Sequence, residues 1–165
     1  MSAINDLLAD SSPSSRSLRL RVLRPVYSRE VVREGYPAYL ARRIINSSQQ
    51  VFELFSDLRL ETKEHFLALH LDAKNKILCL DRVSLGSLNA SIVHPREIFK
   101  SALLSSAAAL VLLHNHPSGD ATPSREDLEL TTRLRECGEL LGIRVLDHVI
   151  IGDGCYISFA DRGLL

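Results

Sequence analysis

Two histidines and an aspartate lie close together in the sequence, at a spacing typical of a metal site. His114 and His116 are two residues apart at the end of the apolar stretch 107–113, which predicts a strand buried on both faces. Because side chains alternate along a strand, both imidazoles are expected on one face. Asp127 follows eleven residues later, one turn into a predicted helix, and the intervening loop contains prolines and a glycine that allow a tight return. We predict that these three side chains share one metal ion.

Zinc is the metal that this ligand set favours, since neutral imidazole and carboxylate both suit it. Three protein ligands leave the fourth position of a tetrahedral ion open for water, which is the pattern of catalytic zinc. Bound zinc lowers the pKa of such a water to about 7. The sequence therefore predicts hydrolytic chemistry, in which a general base takes the proton of the attacking water.

Each of these residues also has an ordinary structural explanation. The two histidines could end a strand in solvent, and Asp127 could be a first-turn carboxylate that the helix dipole favours. Ser124 and Asp127 also fit the Ser-x-x-Asp pattern of a capping box at a helix start. Capping and metal binding are compatible, because a capped Asp127 would be held in a defined orientation.

The elements around these residues predict an α/β domain with a mixed sheet flanked by helices. Alternating and apolar stretches predict strands at residues 66–71, 77–83, 90–93, 107–113, 143–151 and 156–159. Helical spacing and end signals predict helices at residues 95–104 and 124–141, and in residues 37–58 with a break at Ser47 and Ser48.

The first part of the chain differs in composition from the rest. Residues 9–17 are rich in serine and predict a disordered linker. Alternation in residues 18–23 predicts a short strand or an arm that docks on a partner. We therefore predict that residues 1–44 form a partly disordered arm or linker and that residues 45–165 form the metal-binding domain.

Charge and composition restrict the class of partner. Twenty basic and twenty acidic residues leave no net charge and there is no tryptophan, whereas nucleic-acid binding usually draws on a basic surplus and on stacking aromatics. The three cysteines are far apart and favour free thiols in a reducing compartment. No signal peptide or membrane-spanning stretch is apparent, so we expect a cytoplasmic protein without a membrane partner.

The metal-site segment contains a known motif. His114-x-His116-Pro117 followed by Ser124-x-x-Asp127 resembles the JAMM (MPN+) metalloprotease motif. The longer stretch 114–127, together with stretches 93–97 and 140–148, resembles the bacterial RadC family. The resemblance covers roughly residues 45–160, and it implies a JAMM/MPN-like (cytidine-deaminase-like) fold. The chain resembles the short form of this family, because its first 45 residues lack the helix-hairpin-helix pattern of the long form.

The resemblance implies a role for each matching residue. His114, His116 and Asp127 would be the zinc ligands, and Ser124 would donate a hydrogen bond to the oxyanion of the tetrahedral intermediate. Glu64 matches the place of the catalytic glutamate, just before an early strand, and would be the general base. Glu61 is a nearby alternative, and Glu97 is a more distant one.

The implied function is a zinc-dependent metallopeptidase or isopeptidase that hydrolyses an amide bond in a peptide or protein. The alternative is a non-catalytic zinc-containing module in DNA repair or recombination, with DNA or repair proteins as partners. A third reading is a zinc hydrolase of a nucleobase or nucleotide amide, but the His-x-Glu signature of zinc deaminases is absent from the sequence. The sequence does not predict the oligomeric state.

Four further polar residues lie near the predicted site or in nearby predicted strands. His70 lies in the predicted strand 66–71, and its position predicts partial burial. Asp147 or His148 could donate or accept a hydrogen bond that orients a metal ligand, a device that metal sites generally use. Asn115, between the two histidines, is expected to point away from the metal.

Overall fold

The computed structural model describes residues 26–29, 44–86 and 93–165. Its helices are α1 (Ser48–Phe55), a following 3-10 helix (Ser56–Leu60), α2 (Pro95–Leu104) and α3 (Arg125–Leu141). Its strands are β1 (His65–Leu71), β2 (Ile77–Leu85), β3 (Ala109–Asn115), β4 (Arg144–Ile151) and β5 (Tyr156–Ser158). The predictions for residues 9–17 and 18–23, and nearly all of the predicted arm, lie outside the described residues.

The five strands form one sheet in the order β2-β1-β3-β4-β5. β3 pairs parallel with β4, while the β1–β2, β1–β3 and β4–β5 pairs are antiparallel. The sheet is therefore mixed, as predicted, and the α/β class is confirmed. β3 lies at the centre of the sheet, which places the histidines at its end between β1 and β4.

Side chains from the two faces of the sheet enter two separate hydrophobic clusters. On one face, residues such as Phe66 and Leu112 pack with apolar residues of α2 and α3. On the other face, residues such as Leu67 and Val111 pack with Val51 and Phe55 of α1. Every residue of β3 is buried, which confirms the prediction that this strand is covered on both faces.

Capping residues explain where the helices begin. Pro95 is the first residue of α2, and the His94 side chain accepts a hydrogen bond from the Arg96 backbone N–H. Ser124 caps α3, which ends at Gly142 in the left-handed conformation, with φ at 70°. Both helices agree with the prediction.

The helical prediction is confirmed for the second half of residues 37–58, after the predicted break at Ser47 and Ser48. α1 begins at Ser48, and the Ser47 side chain accepts from Gln50 N. Residues 44–47 are not helical, and residues 37–43 lie outside the described residues.

β2 and β3 each differ from the prediction by two residues at one end, and β2 continues to Leu85 instead of ending at residue 83. β3 begins at Ala109 instead of residue 107, because the end of α2 continues into a turn: Ser106 has a positive φ of 57°, and Ala107 N donates to Ala102 O. The predicted strand 90–93 falls mostly outside the described residues, and Val93 itself is not in a strand.

Candidate metal centre

The position of His114 follows from the central strand of the sheet. His114 is the penultimate residue of β3, paired with Phe66 of β1 and Ile150 of β4. Strands on both sides and helices above leave its side chain with no exposed surface. A polar ring in such a place requires hydrogen-bond partners. Its Nδ1 lies 2.8 Å from Nε2 of His148 in β4.

His116 lies just beyond β3, in a loop that is bonded back to the sheet. Its backbone N–H donates to Ile151 O, at 2.9 Å. Its ring Nδ1 lies 2.7 Å from Asp120 O. Because a carbonyl oxygen can only accept, Nδ1 carries the hydrogen, and Nε2 of the neutral ring presents its lone pair to the interior.

The same loop is held by a close approach of two glycines. A Cβ on Gly152 would lie 2.4 Å from Gly119 O, so no larger residue fits there without displacing the loop. Gly119 itself has a positive φ of 83°, which glycine adopts without strain. Asp153 N donates to Gly119 O. These contacts fix the loop that carries His116 and Asp120.

Asp127 is oriented by the capping box at the start of α3. Its Oδ2 accepts hydrogen bonds from the backbone N–H and the hydroxyl of Ser124, at 2.8 and 2.6 Å. In return, Ser124 Oγ accepts from Asp127 N, at 3.1 Å. The predicted capping box is present, and it turns Oδ1 of the buried carboxylate toward His114.

His114, His116 and Asp127 converge on one point. The Nε2 atoms of the two histidines lie 2.9 Å apart. Asp127 Oδ1 lies 3.3 Å from Nε2 of His114, and Asp127 Oδ2 lies 3.5 Å from Nε2 of His116. Ligands of a tetrahedral zinc ion, each about 2.0–2.1 Å from the metal, lie about 3.3 Å from one another. Two nitrogen lone pairs and a carboxylate this close repel each other unless a cation or proton lies among them. The donor set therefore fits zinc.

The pKa shifts follow from burial and from this convergence. Burial, then the charge of His148, moves the pKa of His114 well below its usual range. A hydrogen bond to Asp127 raises the pKa of His116. Burial would raise the pKa of the Asp127 carboxyl, but hydrogen bonds from His116 and Ser124 and the charge of His114 hold it well below its usual range. In the metal-free chain a proton on Nε2 of His116 would be shared with Asp127, and a metal ion at this point would replace that proton.

Glu64 lies at the same site, immediately before β1. The residues lining an open cleft over the three converging side chains are Glu64, His116, Pro117, Ser118, Ser124, Glu126 and Asp127. The negative charge of Glu64 contributes to the raised pKa of His116. Both residues that the resemblance assigns to catalysis, Glu64 and Ser124, therefore border the cleft. Glu61 instead pairs with His65, at 3.5 Å.

The backbone around Glu64 is held by the residue between the two histidines. Asn115 Oδ1 accepts from His65 N at 2.8 Å, and its Nδ2 donates to Lys63 O at 3.0 Å. The amide thus bonds to the residues on both sides of Glu64, and it points away from the converging ligand atoms, as expected. One short segment holds both histidines and fixes the backbone of Glu64.

Two residues behind the metal centre complete a buried network. His148, fully buried, contacts Thr131 Oγ1 through Nδ1 at 2.6 Å, and Thr131 Oγ1 donates to Asp127 O at 2.6 Å. Burial lowers the pKa of His148 to about 4. Of the two expected supports, His148 contacts His114, whereas the Asp147 carboxylate accepts from the His148 backbone N–H, from Ser158 Oγ and from Ala160 N. Thr131 was not predicted from the sequence, although its position one helical turn after Asp127 is a signal that could have indicated it.

In the part of the chain that the structure describes, His114, His116 and Asp127 are the group of at least three histidine, cysteine or acidic residues with converging ligand atoms. Within those same ranges, every helix is too short or too polar to cross a bilayer.

Comparison with known proteins identifies relatives of this chain. The family model described as RadC-like JAB domain matches residues 45–164. UPF0758 proteins are 58% identical in Geotalea uraniireducens over 133 residues, 55% in Methanosarcina mazei over 125 residues and 54% in Shouchella clausii over 125 residues. These alignments cover 77%, 75% and 75% of this chain, and 58%, 55% and 54% of the respective relatives. The chain thus spans little more than half the length of these relatives, and it belongs to the RadC-like JAB domain family.

Proposed function

We propose that this protein is a zinc-dependent hydrolase that cleaves an amide bond in a peptide or protein, as a peptidase or isopeptidase. The observation that carries the proposal is the convergence of two imidazoles and a carboxylate beside a cleft that Glu64 also lines. Membership of the JAB domain family supports the same chemistry. Three free thiols suit a reducing compartment, and we propose the cytoplasm as the site of action.

In this proposal His114, His116 and Asp127 hold the ion, and Glu64 moves the proton. Zinc, when bound, would supply a water activated for attack on an amide carbonyl. As the new C–O bond forms, the Glu64 carboxylate would accept the proton of that water. The same carboxyl would then give the proton to the leaving nitrogen as the C–N bond breaks. The hydrogen bonds of Asn115 to the backbone on both sides of Glu64 would hold this residue in a fixed position beside the metal.

Ser124 would stabilise the negative charge that develops on the carbonyl oxygen. Its hydroxyl proton is directed at Asp127 Oδ2 in the resting site. The oxyanion role therefore requires the O–H bond to rotate toward the substrate. The backbone N–H of Ser124 also donates to Oδ2, so the Asp127 carboxylate would keep one hydrogen bond when the hydroxyl turns away.

A catalytic metal fits this site better than a purely structural one. Structural zinc is normally enclosed by four protein ligands, whereas a catalytic ion keeps one position for water or substrate. Among the described residues, three side chains with ligand atoms converge, and two of them, His116 and Asp127, line an open cleft. This arrangement favours hydrolysis over the alternative of a non-catalytic zinc module in DNA repair.

The test combines metal content with a broad substrate search. The full chain, loaded with one equivalent of zinc, is incubated with a random peptide library and with lysine-linked isopeptides, and products are identified by mass spectrometry. We expect cleavage by the zinc protein, loss of cleavage after chelation, and loss of cleavage in Glu64→Gln with zinc still bound. Glu61→Gln, three residues away and paired with His65, is the matched control that should keep activity.

Two results would contradict the proposal. Zinc-loaded protein that cleaves none of these amides would remove the hydrolase assignment. Full activity in Glu64→Gln would keep the hydrolase but remove Glu64 as its general base.

A further inference from the structure

We propose that Thr131 is a positioning residue for zinc, because it fixes the protons of His148 and His114 so that His114 presents a bare Nε2 to the metal. This inference rests on the proposed zinc site. It assigns a role to a threonine that makes no direct contact with the converging ligand atoms. One atom of the network, a backbone carbonyl oxygen, has a hydrogen-bonding role with no alternative.

That atom is the backbone carbonyl oxygen of Asp127, which can only accept. Thr131 Oγ1 lies 2.6 Å from it, one helical turn further along α3. The single hydroxyl proton of Thr131 is therefore committed to Asp127 O. Thr131 is buried, so water does not offer an alternative partner.

The next contact follows from that commitment. Thr131 Oγ1 lies 2.6 Å from Nδ1 of His148. Since the hydroxyl has already given its proton to the carbonyl, the oxygen must accept here, and His148 must carry a hydrogen on Nδ1. A neutral imidazole has one ring hydrogen, so with that hydrogen on Nδ1 the Nε2 atom of His148 is left with a lone pair.

The last contact transfers this constraint to the ligand. His148 Nε2 lies 2.8 Å from Nδ1 of His114. An acceptor on His148 requires a donor on His114, so His114 holds its hydrogen on Nδ1 and not on Nε2. Nε2 of His114 is then the bare nitrogen that lies 3.3 Å from Asp127 Oδ1. Neutral imidazole binds a metal through exactly one such nitrogen.

The network closes on itself and is shielded by aromatic rings. Asp127 is both the terminal acceptor, through its carbonyl, and a proposed metal ligand, through its carboxylate. Phe66 stacks on His114 with ring centres 5.9 Å apart, and Phe159 packs against His148 at 4.8 Å. These rings cover the two imidazoles with apolar surface. His116 reaches the same state separately, through the carbonyl of Asp120.

The experiment measures zinc affinity by competition with a chromophoric chelator. Thr131→Val removes the hydroxyl and keeps the branched shape, and we expect zinc binding roughly 10–100-fold weaker, the usual effect of losing a partner of a ligand histidine. Thr132→Val is the matched control, because Thr132 Oγ1 makes the same bond to the carbonyl four residues back, at 2.9 Å, but is exposed. We expect no change in Thr132→Val and near-normal affinity in Thr131→Ser, which restores the hydroxyl.

A second measurement requires no variant. Long-range nitrogen–proton NMR spectra of the histidine rings report which nitrogen carries the hydrogen, and we expect Nδ1–H in both His114 and His148 of the zinc-loaded chain. A hydrogen on Nε2 of His148, or unchanged zinc affinity in folded Thr131→Val, would overturn the inference while leaving the zinc site intact. Failure of the wild-type chain to bind zinc would instead overturn the proposed function.

Discussion

Two buried histidine clusters lie at opposite ends of the same pair of strands. At one end, His114 of β3 pairs across the sheet with Phe66 of β1; at the other, His70 of β1 pairs with Leu110 of β3. Both histidines have no exposed surface, and burial is the main cause that lowers the pKa of each. Burial and the direction of the pKa shift alone do not tell the two apart.

The clusters differ in what their nitrogen atoms meet. His70 Nδ1 contacts Ser105 Oγ at 2.8 Å and Cys79 Sγ at 3.3 Å, and its buried Nε2 has no hydrogen-bond partner among the described residues. Burial also raises the pKa of the Cys79 thiol, so the thiol stays protonated. In the other cluster, the Nε2 atoms of His114 and His116 converge on the carboxylate of Asp127. Convergence, and not burial, distinguishes a metal centre from a buried polar cluster.

Removal of one histidine from each cluster should give the largest difference between them. His116→Ala deletes a proposed ligand, and we expect the purified chain to retain no stoichiometric zinc after dialysis. His70→Gln should retain one zinc ion per chain, because none of its contacts reaches the metal centre. Zinc per chain is measured by atomic emission, and circular dichroism verifies that both variants are folded. Zinc loss in His70→Gln, or full retention in His116→Ala, would reverse the comparison.

The sequence was sufficient to predict which three side chains converge, because they are local. His114, His116 and Asp127 lie within one strand–loop–helix segment, so alternation and capping rules apply directly to them. The helices α2 and α3 also carry their end signals in the sequence, Pro95 and Ser124 at the starts and Gly142 at the end.

Contacts between distant parts of the chain could not be predicted in the same way. The His114–His148 contact depends on the parallel pairing of β3 with β4, and hydrophobic periodicity does not fix which strands are neighbours. The partial burial predicted for His70 is wrong for the same reason: β1 lies inside the sheet, between β2 and β3, and Ser105 at the end of α2 lies against its ring. Alternation shows which face a residue occupies, but not what covers that face.

Acid should destabilise the metal-free chain through these buried rings. The pKa of His148 falls from 6.5 to about 4 on folding, so between those values the unfolded chain binds a proton that the folded chain does not. This contribution to stability is complete above pH 6.5 and is lost as the pH falls toward 4. At about 1.4 kcal/mol per pH unit, we expect a loss of about 3 kcal/mol, and the lowered pKa values of His70 and His114 act in the same direction.

Other shifted groups at the metal centre do not reverse this trend. The pKa of His116 is raised, so its contribution to the free energy of unfolding is fully present below pH 6.5. The pKa of Asp127 is lowered, so its contribution is lost only as the pH falls below the ordinary carboxyl pKa of 3.8. Urea unfolding in the presence of EDTA, at several pH values from 7 to 4, provides the measurement. His148→Gln should flatten the profile, whereas Thr132→Val, which removes an exposed hydroxyl that does not titrate, should leave its shape unchanged. A free energy of unfolding that stays constant over this range in the wild-type chain would disprove the assignment.

Two tightly packed glycines allow the finest comparison between the two ends of the fold. A Cβ on Gly152 would meet Gly119 O at 2.4 Å, in the loop that holds His116; a Cβ on Gly138 would meet Ile143 O at the same distance, near the far end of α3. We expect each alanine variant to lose about 1–3 kcal/mol of stability from overpacking, with Gly138→Ala at the lower end because alanine favours the helix by about 1 kcal/mol. Only Gly152→Ala should also weaken zinc binding, because it displaces the Asp120 carbonyl that orients His116. Equal zinc affinity in the two variants, measured by chelator competition alongside thermal unfolding, would mean that the His116 ring is held without that loop.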